Sequence, residues 1–141
     1  VVVGTGRGEA AVRAAAEREQ VAAATTFTGL RRDIPEVLAA ADVFVSPTLQ
    51  EGFSNALLEA MAMGRAVITT DAPGCRETVV NGDNGFLVPV KSVDALVEAM
   101  TRFITDSTLA TRMGQRGRQI AEKKYDVHKV NAVMLKEMGL A

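Results

Sequence analysis

The stretch "DVFVSPTLQEGFSNALLEAMAMGRAVITT", residues 42–70, holds one complete turn of the pattern that decides the fold. "DVFVS" is a short β-branched and aromatic run, and Pro47 stops it as a strand. From about Ser54 to Met63 the sequence predicts a helix, and Gly64 stands where a helix-ending glycine belongs. "AVITT" is a second strand. A strand, a crossover helix and another strand imply parallel pairing, because the crossover must return to the same edge of the sheet.

The alternation continues on both sides. "VVVG" (1–4) reads as a strand end, "GEAAVRAAAEREQ" (8–20) as an Ala-rich helix, and "ATTFTG" (24–29) as a strand run closed by Gly29. "IPEVLAAA" (34–41) is a short helix with proline near its start. Downstream, "GCRETVV" (74–80) is a short helix candidate, "GFLVP" (85–89) a last short strand, and everything from Ser92 onward is helical. The fold class is therefore α/β, a doubly wound parallel sheet with a C-terminal helical tail, with residues 1–141 as one domain. The chain starts without Met and inside a strand, which predicts a piece of a longer protein.

Composition excludes several classes of function. A 48% hydrophobic and 23% charged sequence is globular. With 16 basic and 17 acidic residues, net charge -1, no overall field draws the chain to nucleic acid. No apolar run approaches the roughly 20 residues that span a bilayer. The lone Cys75 cannot form an internal disulfide and suits a reducing compartment. There is no D-x-D pair, and one His with one Cys cannot build a zinc site; no metal is expected.

In a parallel sheet, ligands bind beyond the carboxyl ends of the strands. Two loops there carry distinctive chemistry. "GTGRGE" (4–9), with Gly4 and Gly6, fits a tight turn needing positive φ or a glycine backbone beside a phosphate. It misses the dinucleotide fingerprint, since Glu9 occupies the third glycine position and no acid ends the next strand. "PTLQEGFSN" (47–55) leads into a helix whose first turn offers unpaired N–H groups and a positive dipole end. Gly52 allows close backbone approach, and Ser54 or Asn55 can cap the helix. Asn55 and Glu59 share one helix face. A carboxylate on a helix apolar nearly all round is costly unless hydrogen-bonded, and vicinal sugar hydroxyls would supply two donors. Glu51, in the loop, could take the hydroxyls of a second sugar.

The spacing of Glu51 and Glu59, within "EGFSNALLEAMAMGRAVITTDAPGCRETV", closely resembles the signature of retaining family-4 glycosyltransferases. "VVVGTG", "NGDNGFLVP" and the "MGQRGR" helix resemble further parts of the family, so the likeness covers nearly the whole chain. It implies a GT-B fold of two Rossmann-like halves, of which this chain is the C-terminal, donor-binding one. It further implies that Glu51 contacts the transferred sugar as the catalytic-site glutamate. The segment Gly52, Phe53 and Ser54 would meet sugar and phosphate, Asn55 and Ala56 the diphosphate, and Glu59 the nucleotide ribose. Gly29, Leu30 and Arg31 would cradle the base. The implied reaction is metal-independent transfer of a hexose-type sugar, with UDP as first choice of nucleotide and GDP and ADP open. The acceptor would be a glycan or lipid-linked glycan, bound through an N-terminal half outside this chain. An Arg and a Lys that family members set against the diphosphate also lie outside it, so the isolated chain is expected to bind donor weakly and not turn over. A cytoplasmic protein at the inner membrane face is the corresponding location.

Other residues carry two readings. Arg112, Arg116 and Lys123 form a stripe, near Arg118 and Lys124, for anionic lipid or for solvent. Cys75 and Arg76 near the cleft suit ligand contact or a cap with an Arg76–Glu77 ion pair. Met61, Met63, Met100 and Met113 suggest core filling. His128 reads as a surface residue, and Phe53 as a sugar contact or a core plug. A non-catalytic nucleotide-binding module and a purely structural α/β domain are the alternative functions.

Overall fold

The computed structural model describes residues 1–49, 52 and 54–140. The chain divides into two compact units, Val1–Ile34 and Pro35–Ala141.

In the first unit, Val2 and Phe27 meet in a single parallel bridge, so both expected strands shrink to one pairing. Helix α1 (Glu9–Arg18) lies between them, and a 3-10 turn at Ala22–Ala24 precedes Phe27. The Val2 N–H donates to Thr26 and the Thr28 N–H to Val2.

The second unit is a three-stranded parallel sheet in the order β1 (Val43–Ser46), β2 (Ala66–Thr70), β3 (Gly85–Val88). Ser46 pairs with Thr69, and Thr70 with Val88. All five residues of β2 are buried. Alternate strand residues serve opposite faces, so both faces are covered, and a continuous apolar run is what such a strand requires. Helix α2 (Ile34–Ala39) precedes β1, and α3 (Asn55–Ala62) is the crossover predicted between β1 and β2. Its end forms a Schellman motif: Arg65 N–H donates to Ala60 and Gly64 N–H to Met61, both at 2.9 Å, with Gly64 at φ +69°.

The tail is three helices, α4 (Val93–Thr105), α5 (Leu109–Lys124) and α6 (Val127–Glu137), not one continuous helical stretch. Asp106 breaks it first, its carboxylate accepting from the N–H and hydroxyl of Thr108. Asp126 breaks it again by capping α6 through the amides of His128 and Lys129. From α4 and α5, Ala99, Leu109 and Met113 join Ala66, Ile68, Phe86 and Val88 in the core. Phe86 meets Phe103 edge to face with centroids 5.3 Å apart. Of the methionines, Met61 and Met113 are buried, whereas Met100 is 44% exposed on α4 and fills no core.

"GCRETVV" is a series of turns, not a helix. Gly74 sits at φ +84°, which a right-handed helix cannot include, and the Glu77 carboxylate accepts the Gly74 N–H at 2.7 Å. Arg76 pairs with Asp71, not Glu77.

Candidate functional site

Helix α3 presents its surfaces unequally. Leu57, Ala60 and Met61 are fully buried. Helix α5 presses close behind them, because it carries Gly114 and Gly117: a Cβ on Gly114 would overlap the Gly64 carbonyl. On Gly117 it would lie 3.4 Å from Met61 Cγ. Asn55, Ala56 and Glu59 are exposed together. The expected burial of Glu59 is thus corrected: the apolar residues occupy the inner face, and its carboxylate stands on the open stripe. It makes no hydrogen bond or ion pair among the described residues.

The N-terminus of α3 leaves backbone donors without helical partners. The first helical bond runs from Leu58 N–H to the Ser54 carbonyl, so the amides of Asn55, Ala56 and Leu57 have no partner within the helix. No acid stands in this first turn to oppose the dipole. Ser54 takes the N-cap position and is buried, but its side chain makes no cap bond. Gly52 is exposed, and a Cβ there would meet nothing within 4 Å among the described residues, so packing does not demand glycine. Glu51 and Phe53 lie outside the described residues.

Gly4 and Gly29, placed on different loops by the sequence, are joined in the first unit: the Gly4 N–H donates to the Gly29 carbonyl at 2.8 Å. Both adopt positive φ, +112° and +64°. The tight-turn reading therefore applies at Gly4, while Gly6 has open space and no such φ. Leu30 is 75% exposed, and Arg31 is paired with Asp33 through both guanidinium and carboxylate forks. That pairing, chiefly the side-chain hydrogen bond, holds the Asp33 carboxyl below its ordinary range.

Sequence reasoning missed two supports of the site. The Thr69 hydroxyl donates to the carbonyl of Ser46, the last residue of β1, and the Thr70 hydroxyl to that of Thr48 in the loop beyond it. Asn84, fully buried, accepts the Val80 N–H and donates to Thr78 O and to the Met61 sulfur of α3. The signals were the threonine pair at a strand's C-terminal end and a second asparagine inside a turn already rich in glycine.

Among the described residues no group of three or more His, Cys, Asp or Glu could hold a metal ion. No helix there is long and apolar enough to cross a membrane. The basic stripe is largely paired: Arg112 with Asp106, Arg116 with Asp83 and Arg118 with Glu122. His128 is exposed, as expected.

Residues 1–106 match the family model described as Glycosyl transferases group 1. The chain belongs to that family. Among its relatives, the capsular polysaccharide biosynthesis glycosyltransferase CapM of Staphylococcus aureus is 42% identical over 84 residues, 60% of this chain and 22% of CapM. The Campylobacter jejuni N,N'-diacetylbacillosaminyl-diphospho-undecaprenol alpha-1,3-N-acetylgalactosaminyltransferase is 34% identical over 103 residues, 73% of this chain and 27% of its own length. Anabaena Alr3699/HepE, crystallised in complex with UDP, superposes with TM-score 0.91 at 27% identity, over 99% of this chain and 40% of that one. The chain therefore spans about a quarter of the two enzymes' lengths. The parallel α/β architecture is that of a group 1 glycosyltransferase.

Proposed function

We propose that this chain is the donor-binding half of a retaining glycosyltransferase. The parent moves a hexose-type sugar from a nucleotide diphosphate sugar, UDP-linked in the first instance, to a glycan or lipid-linked acceptor. The observation that carries the proposal is the start of α3: three amides without partners in the helix, an unopposed dipole, and Asn55, Ala56 and Glu59 open on one stripe. Cleaving such a donor places negative charge on the departing diphosphate, and fixed N–H dipoles aimed there stabilise the transition state without a metal. In this reading Asn55 and Ala56 hold the diphosphate, Glu59 the ribose hydroxyls and Glu51 the transferred sugar. Gly52, Phe53 and Ser54 line sugar and phosphate, Gly4 and Gly6 approach the phosphate, and Gly29, Leu30 and Arg31 take the base. The UDP bound by HepE supports the choice of nucleotide. The diphospho-undecaprenol named for the Campylobacter enzyme supports a lipid-linked acceptor; a place at the cytoplasmic membrane face is the location that such an acceptor would suit.

Calorimetric titration with UDP, GDP and ADP, on this chain and on its full-length parent, tests the reading. UDP should bind, and Glu59→Ala should weaken it by roughly 1.5 to 3 kcal/mol, the worth of hydrogen bonds to a charged group. That is a loss of about tenfold or more in affinity. If the full-length protein binds none of the three nucleotides, the reading is wrong.

A further inference from the structure

The β1–β2 ladder closes at Ser46 and Thr69, and the next residue, Pro47, has no N–H with which to extend it. The chain turns there: the Thr48 N–H donates back to the Ser46 carbonyl at 2.9 Å, a γ-turn centred on Pro47. Thr69 Oγ1 donates to the same Ser46 carbonyl, also at 2.9 Å, and Thr70 Oγ1 donates to the Thr48 carbonyl. Both threonines are buried, and their side chains leave opposite faces of β2. The Thr69 hydroxyl thus reinforces the last paired position, and the Thr70 hydroxyl carries the tethering of β1 to β2 two residues past it. Valine has nearly the same shape and would fill both places, but it has no proton to donate.

We infer that Thr69 and Thr70 are positioning residues, setting the direction in which the loop between β1 and α3 departs toward Gly52 and the helix N-terminus. The tether is a property of the sheet edge alone; its consequence for ligand binding rests on the donor-binding reading above. A loop with one tether fewer at its first end would sample more conformations, and the ligand would have to select the competent one.

The test compares Thr70→Val and Thr69→Val with Thr70→Ser, and with Ile68→Val as a control that trims a core residue of the same strand. Two quantities are read in the full-length protein: hydrogen exchange of the peptide spanning residues 47–54, and UDP affinity by calorimetry. Each valine variant should raise exchange in that peptide and lower UDP affinity about fivefold, the loss of one ordinary hydrogen bond. Thr70→Ser should restore both, and Ile68→Val should lower the melting temperature while moving neither. If Thr70→Val does not fold, Thr69→Val carries the same measurement. Wild-type exchange in a folded valine variant, or a serine variant as impaired as valine, overturns the inference. If exchange responds but the wild type takes up no UDP, the tether stands and the donor-binding reading fails.

Discussion

Asn84 shows how much one buried side chain can organise around the site. Its amide satisfies Val80 N–H at 2.7 Å and Thr78 O at 3.3 Å and touches the sulfur of Met61, on the inner face of α3. Asn84→Ala would leave the part-buried Val80 N–H and the buried Thr78 carbonyl without this partner and open a void under the helix. We expect about 2 to 4 kcal/mol of lost stability, visible as a lower urea midpoint, with substitution at the exposed Asn55 nearly neutral. Glu59 is the contrasting case. Its four-residue spacing from Asn55 was legible because helical periodicity is local. Its exposure was not, because alanines and leucines do not say which of them a neighbouring helix will cover. Thr69 and Thr70 were invisible as tethers for a similar reason, since their acceptors lie 23 and 22 residues away.

At the level of elements, the breaks in the helical tail are set by two aspartates whose charge is part of the structure. Asp106 is held below its ordinary value of 3.8, first by the Thr108 hydroxyl and then by the Thr108 N–H. Asp126 is lowered by the backbone amides of Lys129 and His128, against a desolvation cost. A carboxyl whose pKa is lower folded than unfolded contributes stability above its unfolded value and loses it as pH falls through the folded one. Urea midpoints of wild type and Asp106→Asn should therefore differ at pH 6 and converge as pH drops below about 4. Convergence at high pH instead would contradict the assignment. Helix α3 and its glycine stop at Gly64 were readable, because a Schellman ending has its own local residue code. The failed helix at "GCRETVV" was not, because the Gly74 turn is settled by the Glu77 carboxylate bonding back to it.

Across the molecule, stability is uneven. The β2 strand, α3 and the turn residues Cys75, Thr78 and Asn84 hold the most deeply buried side chains, whereas α6 buries none. Val127, Val133, Met134 and Met138 are exposed along it, and a Lys129 ammonium donates to the Glu122 carbonyl of α5. Removing residues 127–141 should shift the unfolding free energy of the rest by less than about 1 kcal/mol, and α6 amides should exchange far sooner than those of β2. An unfolding midpoint that falls steeply on truncation would show that α6 is integral to the fold.

The sequence by itself determined the α/β class, the parallel pairing, the crossover helix from Ser54 to Met63 and the alignment of Asn55 with Glu59. Each of these follows from residues within a few turns of one another. Tertiary structure decided which face of α3 stays open, through the close approach of α5 at Gly114 and Gly117. It also brought the Gly4 amide to the Gly29 carbonyl and set Thr69 and Thr70 against the loop that leaves β1. These outcomes depend on which distant segments come into contact, and neither periodicity nor propensity encodes that.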